Sequence, residues 1–269
     1  MTPVLASEAS EMAAIAFDLA KASIAPAIIA FGCLFICRSF SGRENASRFT
    51  SIAIAVAFMA GYAIWFGGNW SAVVPAHNWP SGNWTFYLAP LAAIVGLTVS
   101  SNFLRGIWRF VVVLVVSLLA AWLLVPTWDT LWPPRPSCIP LLAAYFVALT
   151  LLLDRLANQI SPAVFLTALT AGAAVLSLVV TAMSSMRNGE KLAITAAAFA
   201  GCTAAALVRK PAAGARGIGL IYAILVGGWA FVAGAYPQPP HYGYLLVPAA
   251  PLILWGWAIL RRRSKPVAC

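Results

Sequence analysis

Apolar stretches of about 20 residues recur along this chain with only short polar breaks between them, and that pattern leaves few folds open. A helical segment of this length crosses a hydrocarbon layer roughly 30 Å thick. The chain has 269 residues, of which 62% are hydrophobic and only 9% charged. Soluble domains carry about 25% charged residues. With 17 basic and 7 acidic side chains, this chain cannot cover a water-facing surface of the size it would need. Lipid is therefore the expected solvent for most of its surface. A membrane barrel would show alternating strands of roughly ten residues, and the apolar runs here do not alternate.

The expected fold is all-α, a polytopic integral membrane helix bundle forming one membrane domain over residues 1–269. Nine spans are expected, at about 15–37, 49–66, 86–104, 107–125, 139–153, 162–184, 191–208, 216–235 and 243–260. The fifth is the shortest and weakest of them. The N-terminal stretch MTPVLASEASEM carries Glu8 and Glu11 and no basic residue, so it does not read as a secretory signal.

Charge sets the expected orientation. Thirteen Lys and Arg residues fall in alternate connections: Arg38, Arg43 and Arg48, then Arg105 and Arg109, then Arg155, then Arg209, Lys210 and Arg216, then Arg261, Arg262, Arg263 and Lys265. The other connections hold only Arg135, Arg187 and Lys191. Basic connections stay in the cytoplasm, so the N-terminus is expected outside and the C-terminus cytoplasmic. The poverty of soluble segments leans towards a bacterial inner membrane. Net charge is +10, but the basic residues sit at span ends and build no face for nucleic acid. The expected partners are the lipid bilayer and other membrane subunits.

The outer side is aromatic and rich in Pro. Residues 67–85, GGNWSAVVPAHNWPSGNWT, contain three Asn-Trp pairs, one His and no charged side chain. Trp70, Trp79, Trp84, Trp128 and Trp132 share this side with Tyr236, Tyr242 and Tyr244, as expected of an interfacial belt. PPRP at 133–136 and PQPP at 237–240 read as extended connections. Asn69-Trp70-Ser71 and Asn83-Trp84-Thr85 match the N-glycosylation pattern, which matters only in a eukaryotic secretory pathway.

Candidate sites are few. Asp18 and Lys21 are three apart on one helix face, near Pro26, and can form an intramembrane ion pair on a substrate or ion path. At the outer interface the same pair would be ordinary surface chemistry. His77 and His241 are the two His of the chain. With Asp129 they are the candidates for acid–base catalysis, if the outer connections fold over one pocket. Arg105 and Arg109 can hold anionic lipid headgroups, although topology alone explains them. Asp154-Arg155 reads as a local pair. Cys33 and Cys37 share a helix face but lack further metal ligands, and no metal or cofactor motif occurs. Late spans offer no Lys well inside for a Schiff base. The small-residue seventh span is expected near the middle of the bundle, and the glycines of the eighth read as tight packing or a hinge. Breaks at Pro26, Pro162, Pro248 and Pro251 do not match as an inverted repeat.

Three functions fit this reading. The first is a transporter or permease-like protein. The second is a non-catalytic membrane subunit, lipid-binding or assembly protein. The third is a membrane-embedded enzyme working at the outer surface.

Overall fold

A computed structural model describes residues 23–37, 49–65, 81–100, 106–128, 131–208, 217–237 and 240–256. Helices dominate these residues, and no strand occurs among them. The helices are α1 (Ser23–Cys37), α2 (Thr50–Trp65), α3 (Thr85–Ser100), α4 (Ile107–Leu124), α5 (Arg135–Ala157), α6 (Pro162–Met183), α7 (Met186–Val208) and α8 (Ile218–Ala235). The last five are long and apolar enough to cross a membrane, while α1 to α3 are shorter apolar helices.

Three expected spans differ in extent: the fifth, the ninth, and the seventh, which begins at Met186. The fifth is among the longest helices, with 23 residues. The prolines read as an extended connection instead start it: Pro134 is the N-cap and Pro136 stands in the first turn, where no amide partner is lost. In the stretch expected as the ninth span, the chain forms 3₁₀ turns at Tyr242–Leu246 and Ala250–Ile253. Pro248 and Pro251 lack the N–H groups a regular helix would need there.

Exposed and buried sides separate cleanly on α4. Ile107, Trp108, Val111, Val115, Leu118 and Trp122 are exposed, whereas Val113, Ser117, Ala120, Ala121 and Leu124 are buried. Trp108 and Trp122 are fourteen positions apart in the numbering, about 21 Å along the axis. An apolar stripe between two such rings suits the hydrocarbon layer and its two interfaces.

The centre of the bundle is α8, all of whose residues are buried. This is the span after the one expected there. Helix α7 is packed closely too, chiefly against its hairpin partner α6 and against α2. Its Gly201 accepts the backbone of Ala27 in α1, and Gly61 of α2 accepts the ring of Pro26. Helix α8 is not uniform. A π turn occupies Ala223–Gly227 between two α-helical segments. The start of α8 is set by Gly217, with φ +79°, a conformation L side chains rarely adopt. Gly217 also meets the backbone of Gly96 so closely that neither has room for a Cβ.

Candidate functional site

Asn83 ends the Asn-Trp stretch and enters the protein through a 3₁₀ turn, Ser81–Trp84, at the head of α3. Its side-chain oxygen accepts two hydrogen bonds. One comes from the Tyr62 hydroxyl of α2 at 2.8 Å, the other from Lys191 Nζ of α7 at 2.9 Å. Lys191 is only 5% exposed and Asn83 only 7%. Three aromatic rings surround the ammonium: Trp229 of α8 at 4.8 Å, and Tyr62 and Trp65 of α2 at 5.6 Å each.

Helix α7 explains why Lys191 is inside. It begins at Met186, five residues before the expected start of the span, so Lys191 falls within the packed helix rather than in a connection. Burying an ammonium costs several kcal/mol. A charge-assisted hydrogen bond returns about 1.5–3 kcal/mol, and each desolvated ring contact up to about 2 kcal/mol. Neutral dipoles and π faces can therefore hold the charge here. No carboxylate lies within ion-pair distance of Lys191 among the described residues. Trp229, one wall of the cage, is fully buried, and its Nε1–H has no hydrogen-bond acceptor among the described residues.

A second polar cluster lies at the opposite end of α8. Asp154 of α5 is almost wholly buried, and its Oδ2 receives Arg109 Nη2 of α4 at 2.8 Å. Its Oδ1 accepts the backbone amides of Gly217 and Gly219 at 3.2 and 3.3 Å. The carboxylate thus joins α4, α5 and the start of α8, where a negative charge also suits the first-turn amides and the helix dipole. Arg155 turns away and lies over the Trp255 ring at 5.5 Å. The expected local Asp154-Arg155 pair is therefore not formed, because neighbouring residues on a helix do not face each other.

Among the sequence candidates, Asp18, Lys21, Arg105, His77 and Asp129 lie outside the described residues. Arg109 is described, and its guanidinium serves Asp154. His241 is exposed, and its backbone amide donates to the Gly234 carbonyl at 2.8 Å. Close by, two connections do meet. Tyr242 Oη donates to the Trp132 carbonyl at 2.8 Å, and the Trp128 and Tyr236 rings pack edge to face at 4.7 Å. Burial, with the Cys138 thiol nearby, pushes the Tyr242 phenol above its ordinary range, so it stays a donor at neutral pH. No group of three or more potential metal ligands occurs among the described residues.

Sequence reasoning missed Lys191, counted among the connection charges, and Asn83, read as a glycosylation match. A usable signal was present. Placing Lys191 one turn inside a longer helix would have made it an intramembrane charge, which is a functional candidate by default.

Fold and clusters together define a bundle of membrane-length helices, the build of an integral membrane protein. No family model, curated protein or solved structure matches this chain.

Proposed function

We propose that the protein is a transporter or permease-like protein of a bacterial inner membrane, with about nine spans, its Trp-rich end outward and its C-terminus in the cytoplasm. The observation that carries the transport reading is Lys191. A charge buried in a membrane-length helix, whose hydrogen-bond and ring contacts are all with neutral groups, marks a path for a polar substrate or ion. The π turn in the buried helix beside it is a second feature common at functional sites. Orientation rests on the unequal distribution of Lys and Arg between the two sets of connections.

Reconstitution into liposomes tests the function. Dissipation of an imposed potential would be followed with chloride, nitrate, acetate, lactate and phosphate salts, for wild type and Lys191→Ala. Fluxes equal to those of empty liposomes across the whole series would remove the transport reading. Single cysteines at Ser81 and Ser264 test the orientation: labelling of both from the same side would contradict it.

A second reading, a non-catalytic membrane subunit, is favoured by the burial of every residue of α8, which closes the centre of the bundle. A partner protein that co-purifies at fixed stoichiometry in mild detergent would support it. The outer-surface enzyme gains no support from the described residues.

A further inference from the structure

We infer that the Lys191 cage is a binding site for a small monovalent anion, which takes the place of the Asn83 side chain as the acceptor for Lys191. This assignment rests on the transport reading and names the substrate class of the same site.

The cage has more donors than acceptors. Lys191 Nζ and Tyr62 Oη–H both converge on one neutral oxygen, Asn83 Oδ1. Trp229 Nε1–H, on the residue forming the nearest wall, has no acceptor among the described residues. Buried donors in folded proteins are nearly always matched, so the surplus favours an acceptor with more lone pairs than one amide oxygen offers. The charge is also unbalanced. Arg187 and Glu190 are the charged neighbours on the same helix. Their signs oppose, which leaves Lys191 to set the charge of the cage. One positive group asks for one negative charge. The site must also be small, because Tyr62, Trp229, Lys191 and Asn83 are all buried against one another. Asn83 is the replaceable member, since it enters from a four-residue turn rather than from the body of a helix. A purely structural role would be served better by a carboxylate at position 83, or by an apolar residue at 191.

Iodide provides the probe, because it is a monovalent anion and quenches tryptophan fluorescence, and two tryptophans line the cage. In purified full-length protein, iodide quenching is expected to show a saturable component that acetate and chloride displace. Neutral acrylamide should show none. Asn83→Asp, nearly isosteric, places a fixed carboxylate beside Lys191 and should abolish the saturable component. Lys191→Met should weaken it by roughly 30-fold or more, and Lys191→Arg should retain it. Quenching that is linear in wild type, or a saturable component untouched by Asn83→Asp, overturns the assignment. If Lys191→Met does not fold, Asn83→Asp decides alone. Nanodiscs separate the two sources of such an anion. Loss of the saturable component when phosphatidylglycerol replaces phosphatidylcholine assigns the site to a lipid headgroup, and its persistence assigns it to a free anion. Saturable quenching without flux leaves the site standing and removes the transport reading. Flux insensitive to both substitutions does the reverse.

Discussion

Asp154 bonds Arg109 across 45 positions of sequence, at 2.8 Å, while its chain neighbour Arg155 lies over Trp255. One carboxylate thereby fixes three helices. Its desolvation is offset by the guanidinium and by two backbone amides, a set that uses both oxygens. Arg109 is about a third exposed, so it can turn to water if its partner is lost. Asp154 cannot.

This asymmetry gives the first prediction. Arg109→Met should destabilise more than Asp154→Asn, by on the order of 3 kcal/mol against 1–2 kcal/mol, because only the former strands a buried charge. The double variant should recover part of the loss. Unfolding titrations in detergent of the two single variants and the double variant measure this. Equal effects of the single variants would show that the pair is not asymmetric.

Lys191→Met should behave in the opposite way. Replacing a buried ammonium by an apolar chain of similar length is expected to leave stability unchanged or raise it by about 1 kcal/mol. Any activity that depends on the charge should vanish at the same time. Thermal melts read alongside liposome flux check both halves. A large loss of stability would mean that the cage is a structural tie.

Gly217 and Gly96 should tolerate no side chain. Gly217→Ala must adopt a positive φ and also collide with the Gly96 backbone. A cost well above 1 kcal/mol is expected. Gly32, which has open space around it, is the control: Ala there should be neutral or slightly stabilising. Melting temperatures of the two variants settle the comparison.

Exposed positions on α4 test whether lipid is the solvent. Val115, near the middle of the helix, is 58% exposed, whereas Val113 is buried. Val115→Arg should lower membrane insertion by roughly 2.5–3.5 kcal/mol. Val115→Leu should have no effect. Insertion of the isolated helix in a glycosylation-tag assay, together with membrane yield of the whole protein, would report this. An arginine accepted without loss would argue that this face meets water.

Most helices were legible in the sequence because apolar length is a local property. The windows beginning near Thr50, Thr85, Ile107 and Pro162 start within a residue or two of expectation. The ends depended on neighbours. Pro134 and Pro136 read as an extended connection until the helix they open is seen, and Met186–Glu190 reads as a connection because only Gly189 of this first turn is buried, against Thr181 of α6. The clusters were less legible still. Asn83, Lys191, Tyr62 and Trp229 come from four segments, and only packing brings them together. Asp154 had an obvious partner one residue away, and helical geometry forbade it.

The π turn of α8 carries a mechanical consequence. Gly219, before it, is tied to Asp154, and Trp229, after it, lies over Lys191. Tightening that turn to α geometry with no residue removed would twist everything beyond it by about 100°, one residue's angular step. Trp229 would swing off the ammonium while Gly219 stayed seated. Deleting one residue within Ala223–Gly227 is the compensated form of the same change, because it straightens the helix and keeps both faces in phase. The helix thus carries a built-in phase offset between its grip on Asp154 and its contact with Lys191.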